Sequence, residues 1–325
     1  MQSHFKRSLL SLTILLTVPF LAGHSQEDIS SRVTFDAITF DDGMGGDLRS
    51  PRSIFYDGRS AELFVADAGN HRILIYDRNL KALYSFDHFV RDRYTDQMIK
   101  GEPKSAVVNS HGDIIVIDNL VDYLEVLDFR GISLERIEVS KIMGDTSLKI
   151  RPECMTIDSA DNLYLAVTGD QVTVLMLDSQ FRLIRRIGQK GPLPSEFNTL
   201  LAIAEAEGRL YLTDLYSSPA VKMFDTVGNY ISGFAGHDIE RADLSLPSGI
   251  FVSQDSAEGT LIWVTDALRQ VVKVYNSNGD MLVQLGGFGR LLGEYQYPSG
   301  VAGSQEGEFF ISEKVGNRIQ RFRFK

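Results

Sequence analysis

Short apolar segments with alternating polar positions recur along the chain after residue 30, and this alternation predicts β-strands. The clearest copies join two strands through a tight turn and read FVADAGNHRILIYD at 64–77, WVTDALRQVVKVYN at 263–276 and FISEKVGNRIQRFR at 310–323. The first strand of each copy ends in an acidic residue. Because the apolar runs are short and rich in Val, Ile, Tyr and Phe, they favour strands over the helices of an α-solenoid.

The acidic position defines a repeat of about fifty residues. Its six copies are spaced by 51, 49, 47, 52 and 47 residues and are Asp67, Asp118, Val167, Asp214, Asp266 and Glu313. A proline opens every repeat except the fourth, where Thr199 takes its place; the others are Pro51, Pro103, Pro152, Pro247 and Pro298. Six repeats of about four strands predict an all-β fold, a six-bladed β-propeller over residues 26–325.

Five of the six repeats have a small residue two positions after the opening residue, which fits a strand that lines a central channel. Two residues after it come Ser53, Ser105, Cys154, Leu201, Gly249 and Gly300. We therefore interpret Cys154, the only cysteine, as a packed channel residue, with a reactive thiol as the alternative. The last repeat stops at Lys325 after three strands, whereas residues 32–40 form a spare strand. We expect this N-terminal strand to complete the sixth blade and remove its exposed edge.

The first 25 residues predict a secretory signal peptide. Lys6 and Arg7 precede an apolar stretch at 9–22, and small residues precede a predicted cleavage before Gln26. A retained membrane anchor is the alternative, but this stretch is shorter than the roughly twenty residues of a spanning helix. We therefore expect a secreted or periplasmic protein without a membrane span. The net charge of −10 becomes −12 once the leader is removed, which argues against nucleic-acid binding.

Two kinds of segment resemble the NHL repeat family. DAGNHRILIYD at 67–77 and EKVGNRIQRFR at 313–323 resemble its strand-turn-strand signature, and GGFGRLLGEYQYPSGVA at 286–302 and GQKGPLPSEF at 188–197 resemble its connector between blades. The resemblance covers residues 32–325 and implies a six-bladed propeller whose ligands bind one face. Family members include ligand- and protein-binding domains, sensors, RNA-binding relatives and a peptide-amidating lyase, so it implies no single function. Val167 and Ser217-Ser218-Pro219 depart from the signature, through drift of the repeat or through a specialised rim.

The implied ligand-binding face carries the repeated acids and two arginines. The candidate residues are Asp67, Arg72, Asp118, Asp214, Asp266, Glu313 and Arg318. Five converging carboxylates could bind calcium or attract a basic partner. The structural alternative is that each acid accepts hydrogen bonds from its own turn and from the arginine five residues later. Asn70 and Asn317 are interpreted as turn residues that tolerate a left-handed backbone.

Signatures of catalysis are weak. His71, His88, His111 and His237 fall in different loops and are not expected to share a zinc ion. The sequence contains neither a GxSxG motif nor a phosphate-binding loop. We therefore predict a binding module for a protein, peptide or glycan, with no cofactor required, acting as a monomer or within an exported complex. The alternatives are a calcium-dependent hydrolase or lyase that uses the repeated acids, and a structural component of a larger exported assembly.

Overall fold

The computed structural model describes residues 29–92 and 94–325, so the predicted signal peptide and its cleavage site lie outside the described residues. The described chain folds into six four-stranded antiparallel sheets and one two-stranded hairpin. The sheets are the six blades of a β-propeller, as the repeat predicts. The described part of the chain has no helix that is long and apolar enough to cross a membrane.

The strands follow one another around the ring in chain order. The first half of the chain contains β1 (Val33–Thr39); β2 (Pro51–Asp57), β3 (Glu62–Asp67), β4 (Arg72–Asp77) and β5 (Ala82–Asp87) of blade 1; β6 (Phe89–Arg91) and β7 (Met98–Lys100) of the hairpin; β8 (Pro103–Val108), β9 (Ile114–Asp118), β10 (Tyr123–Leu127) and β11 (Ser133–Glu138) of blade 2; and the short helix α1 (Val139–Ile142). The second half contains β12 (Ile150–Ile157), β13 (Leu163–Gly169), β14 (Thr173–Leu177) and β15 (Leu183–Ile187) of blade 3; β16 (Thr199–Ala206), β17 (Arg209–Leu215), β18 (Val221–Asp225) and β19 (Tyr230–Phe234) of blade 4; β20 (Pro247–Asp255), β21 (Gly259–Asp266), β22 (Val271–Asn276) and β23 (Met281–Gly286) of blade 5; and β24 (Pro298–Gly303), β25 (Glu308–Glu313) and β26 (Arg318–Phe324) of blade 6.

The hydrophobic core is divided among the interfaces between neighbouring blades. Each of the six buried clusters combines residues of two adjacent blades. One cluster contains Leu63 and Val65 of blade 1 together with Phe310 and Ile319 of blade 6, so the first and last blades pack against each other. The ring is therefore closed by side-chain packing, which suits a chain with no disulfide to stabilise it.

The N-terminal strand β1 closes the sixth blade, as predicted from the missing fourth strand. It pairs antiparallel with β26 from Val33 opposite Phe324 to Thr39 opposite Ile319. The Phe35 ring lies 5.4 Å from the Phe322 ring, and Asp36 accepts a hydrogen bond from Arg321 at 2.8 Å. The outer edge of blade 6 is thus covered by a strand from the other end of the chain.

The strand register corrects our alignment of the fourth repeat. Each acidic position lies opposite the residue that opens its blade, and in blade 4 the partner of Asp214 is Leu200, not Thr199. The residue equivalent to Cys154 is therefore Ala202 rather than Leu201. With this correction all six innermost strands carry a small residue at that point: Ser53, Ser105, Cys154, Ala202, Gly249 and Gly300. All six line the central cavity, and Cys154 is buried, which confirms its channel position.

Candidate functional site

One end of the propeller gathers the turns between second and third strands and the connectors between blades, and we call this end the top face. The two kinds of loop bond to each other: the Asn70 side chain donates to the Asp47 carbonyl, and the Asn317 side chain accepts from the Ser50 backbone. The expected left-handed turn position is occupied by Asn317 but not by Asn70, since His71 adopts that conformation in blade 1. The grouping of loops that the resemblance implied is present.

The five repeated acids are buried within their blades and do not converge on one point. Their carboxylates accept hydrogen bonds from backbone N–H groups, mostly in the connector before the first strand: Asp67 from Arg49, Asp214 from Asn198 and Thr199, Asp266 from Ser245 and Leu246, and Glu313 from Gln296. Asp118 instead accepts from Leu120 in its own turn. Four of the five acids therefore tie a connector to the blade that follows it, and Asp118 stabilises its own turn.

Basic side chains of the third strands neutralise several of these acids. The Arg72 guanidinium contacts the Asp67 carboxylate at 2.8 Å, and that of Arg318 contacts Glu313 at 2.6 Å. In blade 4 the Lys222 ammonium lies 2.7 Å from Asp214, and both side chains are fully buried. The structural interpretation of Arg72 and Arg318 thus agrees with their contacts.

Blade 3, which has Val167 at the acidic position, obtains the same bond from another residue. The Asp170 carboxylate accepts a hydrogen bond from the Lys149 backbone at 2.9 Å, although Asp170 lies three residues further along the turn. The function of the missing acid is therefore retained by a shifted residue, which the alignment of repeats did not reveal.

Histidines and acids are not arranged as a metal centre in residues 29–92 and 94–325, where no group of three or more His, Cys, Asp or Glu side chains could hold an ion. His88 is buried, and its Nε2 lies 3.3 Å from Oδ2 of Asp118. His237 lies three blades away, with its ring 5.5 Å from that of Tyr216. These positions match the separation expected from the sequence.

The central channel forms a cavity of about 940 Å³. Its middle is lined by apolar residues of the innermost strands, including Phe55, Val107 and Ile203. A β-bulge at the top of each innermost strand adds one further residue to the lining, and these six residues are Arg52, Lys104, Glu153, Leu201, Ser248 and Ser299. The top mouth of the channel is thus formed by the same β-bulge in all six blades, and the side chain at the bulge differs from blade to blade.

Three consecutive connectors of the top face adopt the same turn. Parallel bridges join Lys190 to Phe197, His237 to Leu244 and Phe288 to Tyr295. The carboxylate before the second bridge residue, from Glu196, Asp243 or Glu294, accepts a backbone N–H hydrogen bond within the turn. Residues 188–197 and 286–302 were recognised as connector copies, but the copy at 235–246 was missed because it contains a single glycine, Gly236.

This turn holds aliphatic side chains out into solvent. Leu193 and Leu291 occupy the same position in their connectors, Ile239 lies at the preceding position, and their exposed fractions are 57%, 71% and 89%. The neighbouring turns between second and third strands add three more exposed apolar residues: Tyr216, Leu268 and Val315. We call these six residues the apolar arc; it extends over blades 4, 5 and 6.

Comparison with known proteins supports the fold. No family model matches the sequence, and neither does the sequence of any curated protein. Solved structures do resemble it: a luciferin-regenerating enzyme at 11% identity and TM-score 0.62 over 88% of this chain and 94% of its own, a streptogramin B lyase at 12% and 0.57 over 89% and 98%, and a Xanthomonas campestris gluconolactonase at 13% and 0.58 over 85% and 86%. At these identities the likeness shows the propeller fold alone, and the resemblance to NHL repeats stays a prediction.

Proposed function

We propose that this protein is an exported binding propeller whose apolar arc contacts a protein or peptide partner. The observation that carries the proposal is the shared turn that exposes Leu193, Ile239 and Leu291 in three successive connectors. Single exposed apolar residues are common on protein surfaces. A repeated display on one face is different, because clustered exposed apolar side chains mark interaction sites.

The backbone beneath the apolar arc is held in place. The Arg318 guanidinium donates to the Glu294 carbonyl at 2.7 Å, and the Lys273 ammonium donates to the Arg241 carbonyl at 2.8 Å. The connectors therefore present their side chains from a preorganised backbone, which lowers the entropy lost on binding. Aliphatic side chains complement the apolar side chains of a protein better than the hydroxyl groups of a glycan, so a protein or peptide is the favoured partner class.

A triple variant tests this proposal. Leu193→Asp, Ile239→Asp and Leu291→Asp place three charges in the arc, whereas a control changes Leu83, Ile184 and Ile231, three half-exposed apolar residues of outer strands, to Asp. Both variants should keep the melting temperature of the wild type. Quantitative mass spectrometry of proteins retained from the extracytoplasmic fraction of the native host should show partners lost only by the arc variant. Equal retention by both variants would contradict the proposal.

A metal-assisted hydrolase or lyase is the second candidate. The similar structures named above carry enzyme names, and a channel of about 940 Å³ has the size of a small-molecule site. The five repeated acids, however, already accept backbone hydrogen bonds, four of them from the connectors and Asp118 from its own turn. A catalytic role would therefore rest on other channel residues, and turnover at an unchanged rate by the Asp266→Asn variant would support it.

A further inference from the structure

The two mouths of the central channel carry opposite charge. The top mouth contains Arg52, Lys104 and Lys314, which we call the basic mouth, and a single nearby carboxylate, Glu153. The bottom mouth has a surplus of acids, with Asp57, Asp158, Glu205 and Glu306 beside Arg59 and Arg78. A charged ligand would therefore enter the channel in one orientation.

Two cations of the basic mouth lack an acidic partner. Lys104 forms an ion pair with Glu153. Across residues 29–92 and 94–325, by contrast, neither Arg52 nor Lys314 is ion-paired. The Arg52 guanidinium donates to the Asn119 amide oxygen, and the Lys314 ammonium lies 5.6 Å from the centroid of the Tyr297 ring. Both side chains are partly buried in the channel lining. Burial and the neighbouring Arg52 charge lower the pKa of Lys314. Partly desolvated like charges that face each other destabilise the ligand-free protein, and an anion between them would relieve this repulsion.

Below these cations the channel wall is apolar. Its lining includes Phe55, Val107, Met155, Ile203, Ile250 and Val301. An inorganic anion would make no contact with this wall, whereas an apolar chain would bury its surface there and gain about 25 cal/mol of binding free energy per Å² of apolar surface.

We propose that the basic mouth binds the anionic head group of an amphipathic organic acid, whose apolar part extends along the channel toward the bottom mouth. Arg52 and Lys314 bind the head group, and the apolar wall selects the tail. The acids of the bottom mouth repel the reverse orientation. No residue of the apolar arc lines the channel, although Val315 follows Lys314 in the same turn, so the site stands independently of the proposed partner.

Calorimetry on the mature protein with three probes tests the site. Decanoate supplies both parts of the ligand, 1-decanol only the tail, and acetate only the head group. Decanoate should bind one to one, at least tenfold more tightly than decanol, and acetate should show no binding. Arg52→Gln and Lys314→Gln should each weaken decanoate at least tenfold without affecting decanol. Arg78→Gln, which removes a cation from the bottom mouth, should leave decanoate affinity unchanged, and so should the triple variant of the apolar arc.

A second measurement needs no ligand. Because the Arg52 charge disfavours the charged form of Lys314, Lys314→Gln should raise the melting temperature of the protein without added ligand. A lower value would mean that Lys314 has a structural role and would overturn the proposal. Equal affinity for decanoate and decanol, no binding of decanoate, or an equal loss in Arg78→Gln would also overturn it.

Discussion

Changing Asp214 to Asn tests whether the repeated acids are structural. The Asp214 carboxylate accepts hydrogen bonds from the Thr199 backbone at 2.6 Å and from the Lys222 ammonium at 2.7 Å, with both side chains fully buried. Asparagine would leave the Lys222 charge without a counter-ion in the interior. Removing one partner of a buried ion pair costs about 3 to 5 kcal/mol.

Asp266 provides the matched comparison. It also accepts two hydrogen bonds from the connector backbone, from Ser245 and Leu246, but its basic neighbour Arg269 lies 3.8 Å away and is partly exposed. The buried third-strand lysine of blade 5, Lys273, donates to the Arg241 and Asp243 carbonyls and forms no ion pair with Asp266. Asp266→Asn therefore breaks no buried ion pair, and the expected loss is about 1 to 3 kcal/mol, the range for hydrogen bonds to a charged group. The order of the two losses follows from the contacts of the third-strand basic residue.

Denaturant unfolding at neutral pH, with added calcium and with a chelator, measures both losses. Asp214→Asn should lose more unfolding free energy than Asp266→Asn, and Lys222→Met added to Asp214→Asn should restore part of it because it removes the stranded charge. Calcium should change none of these values. The structural account is refuted if Asp266→Asn is the more damaging change, or if calcium stabilises the wild type and this effect disappears in the variants.

Three further predictions concern the ends of the chain and one buried lysine. A protein that begins at Asp41 should melt at a much lower temperature than the mature protein, because β26 loses its partner strand and Phe35 its contact with Phe322; an unchanged melting temperature would refute closure by β1. Burial, together with the Arg269 charge, lowers the pKa of Lys273 to about 8. The same lysine in the unfolded chain keeps its proton to about pH 10, so the unfolded state binds more protons than the folded state between about pH 8 and 10. The unfolding free energy of the wild type should therefore rise by up to about 2 kcal/mol relative to that of Lys273→Met over this range. A difference in unfolding free energy that does not change with pH would contradict this pKa. Mass spectrometry of the exported protein should find an N-terminus at Gln26, whereas an intact Met1 in the membrane fraction would refute the signal-peptide prediction.

The number of blades could be predicted because it depends on a local pattern. Strand alternation and the acidic position recur in sequence, and the closing strand follows from a repeat that ends one strand early. The register between paired strands, by contrast, is not determined by a local pattern in the sequence. Thr199 and Leu200 are both plausible openings by sequence, and the hydrogen-bond pairing with Asp214 decides between them.

The candidate site was predicted less well, because side-chain direction depends on tertiary structure. The acids recur at one position and suggest a ring, yet each points into its own blade. Arg52 and Lys314 lie at opposite ends of the sequence and meet only when the ring closes, and Asp170 substitutes for an acid from a shifted position. The connector that exposes Ile239 contains a single glycine, so its composition did not reveal the shared turn.

Photo-cross-linking from the top face tests the central claim most directly. A benzophenone amino acid at Leu193 or Leu291 places the reactive group in the apolar arc, and the same amino acid at Ile184 or Ile231 places it at half-exposed positions of outer strands. In the native host, both arc positions should give an adduct with the same protein or peptide, and the outer-strand positions should give none. Adducts from the outer strands alone, or none from the arc, would contradict the account of this protein as a top-face binding propeller.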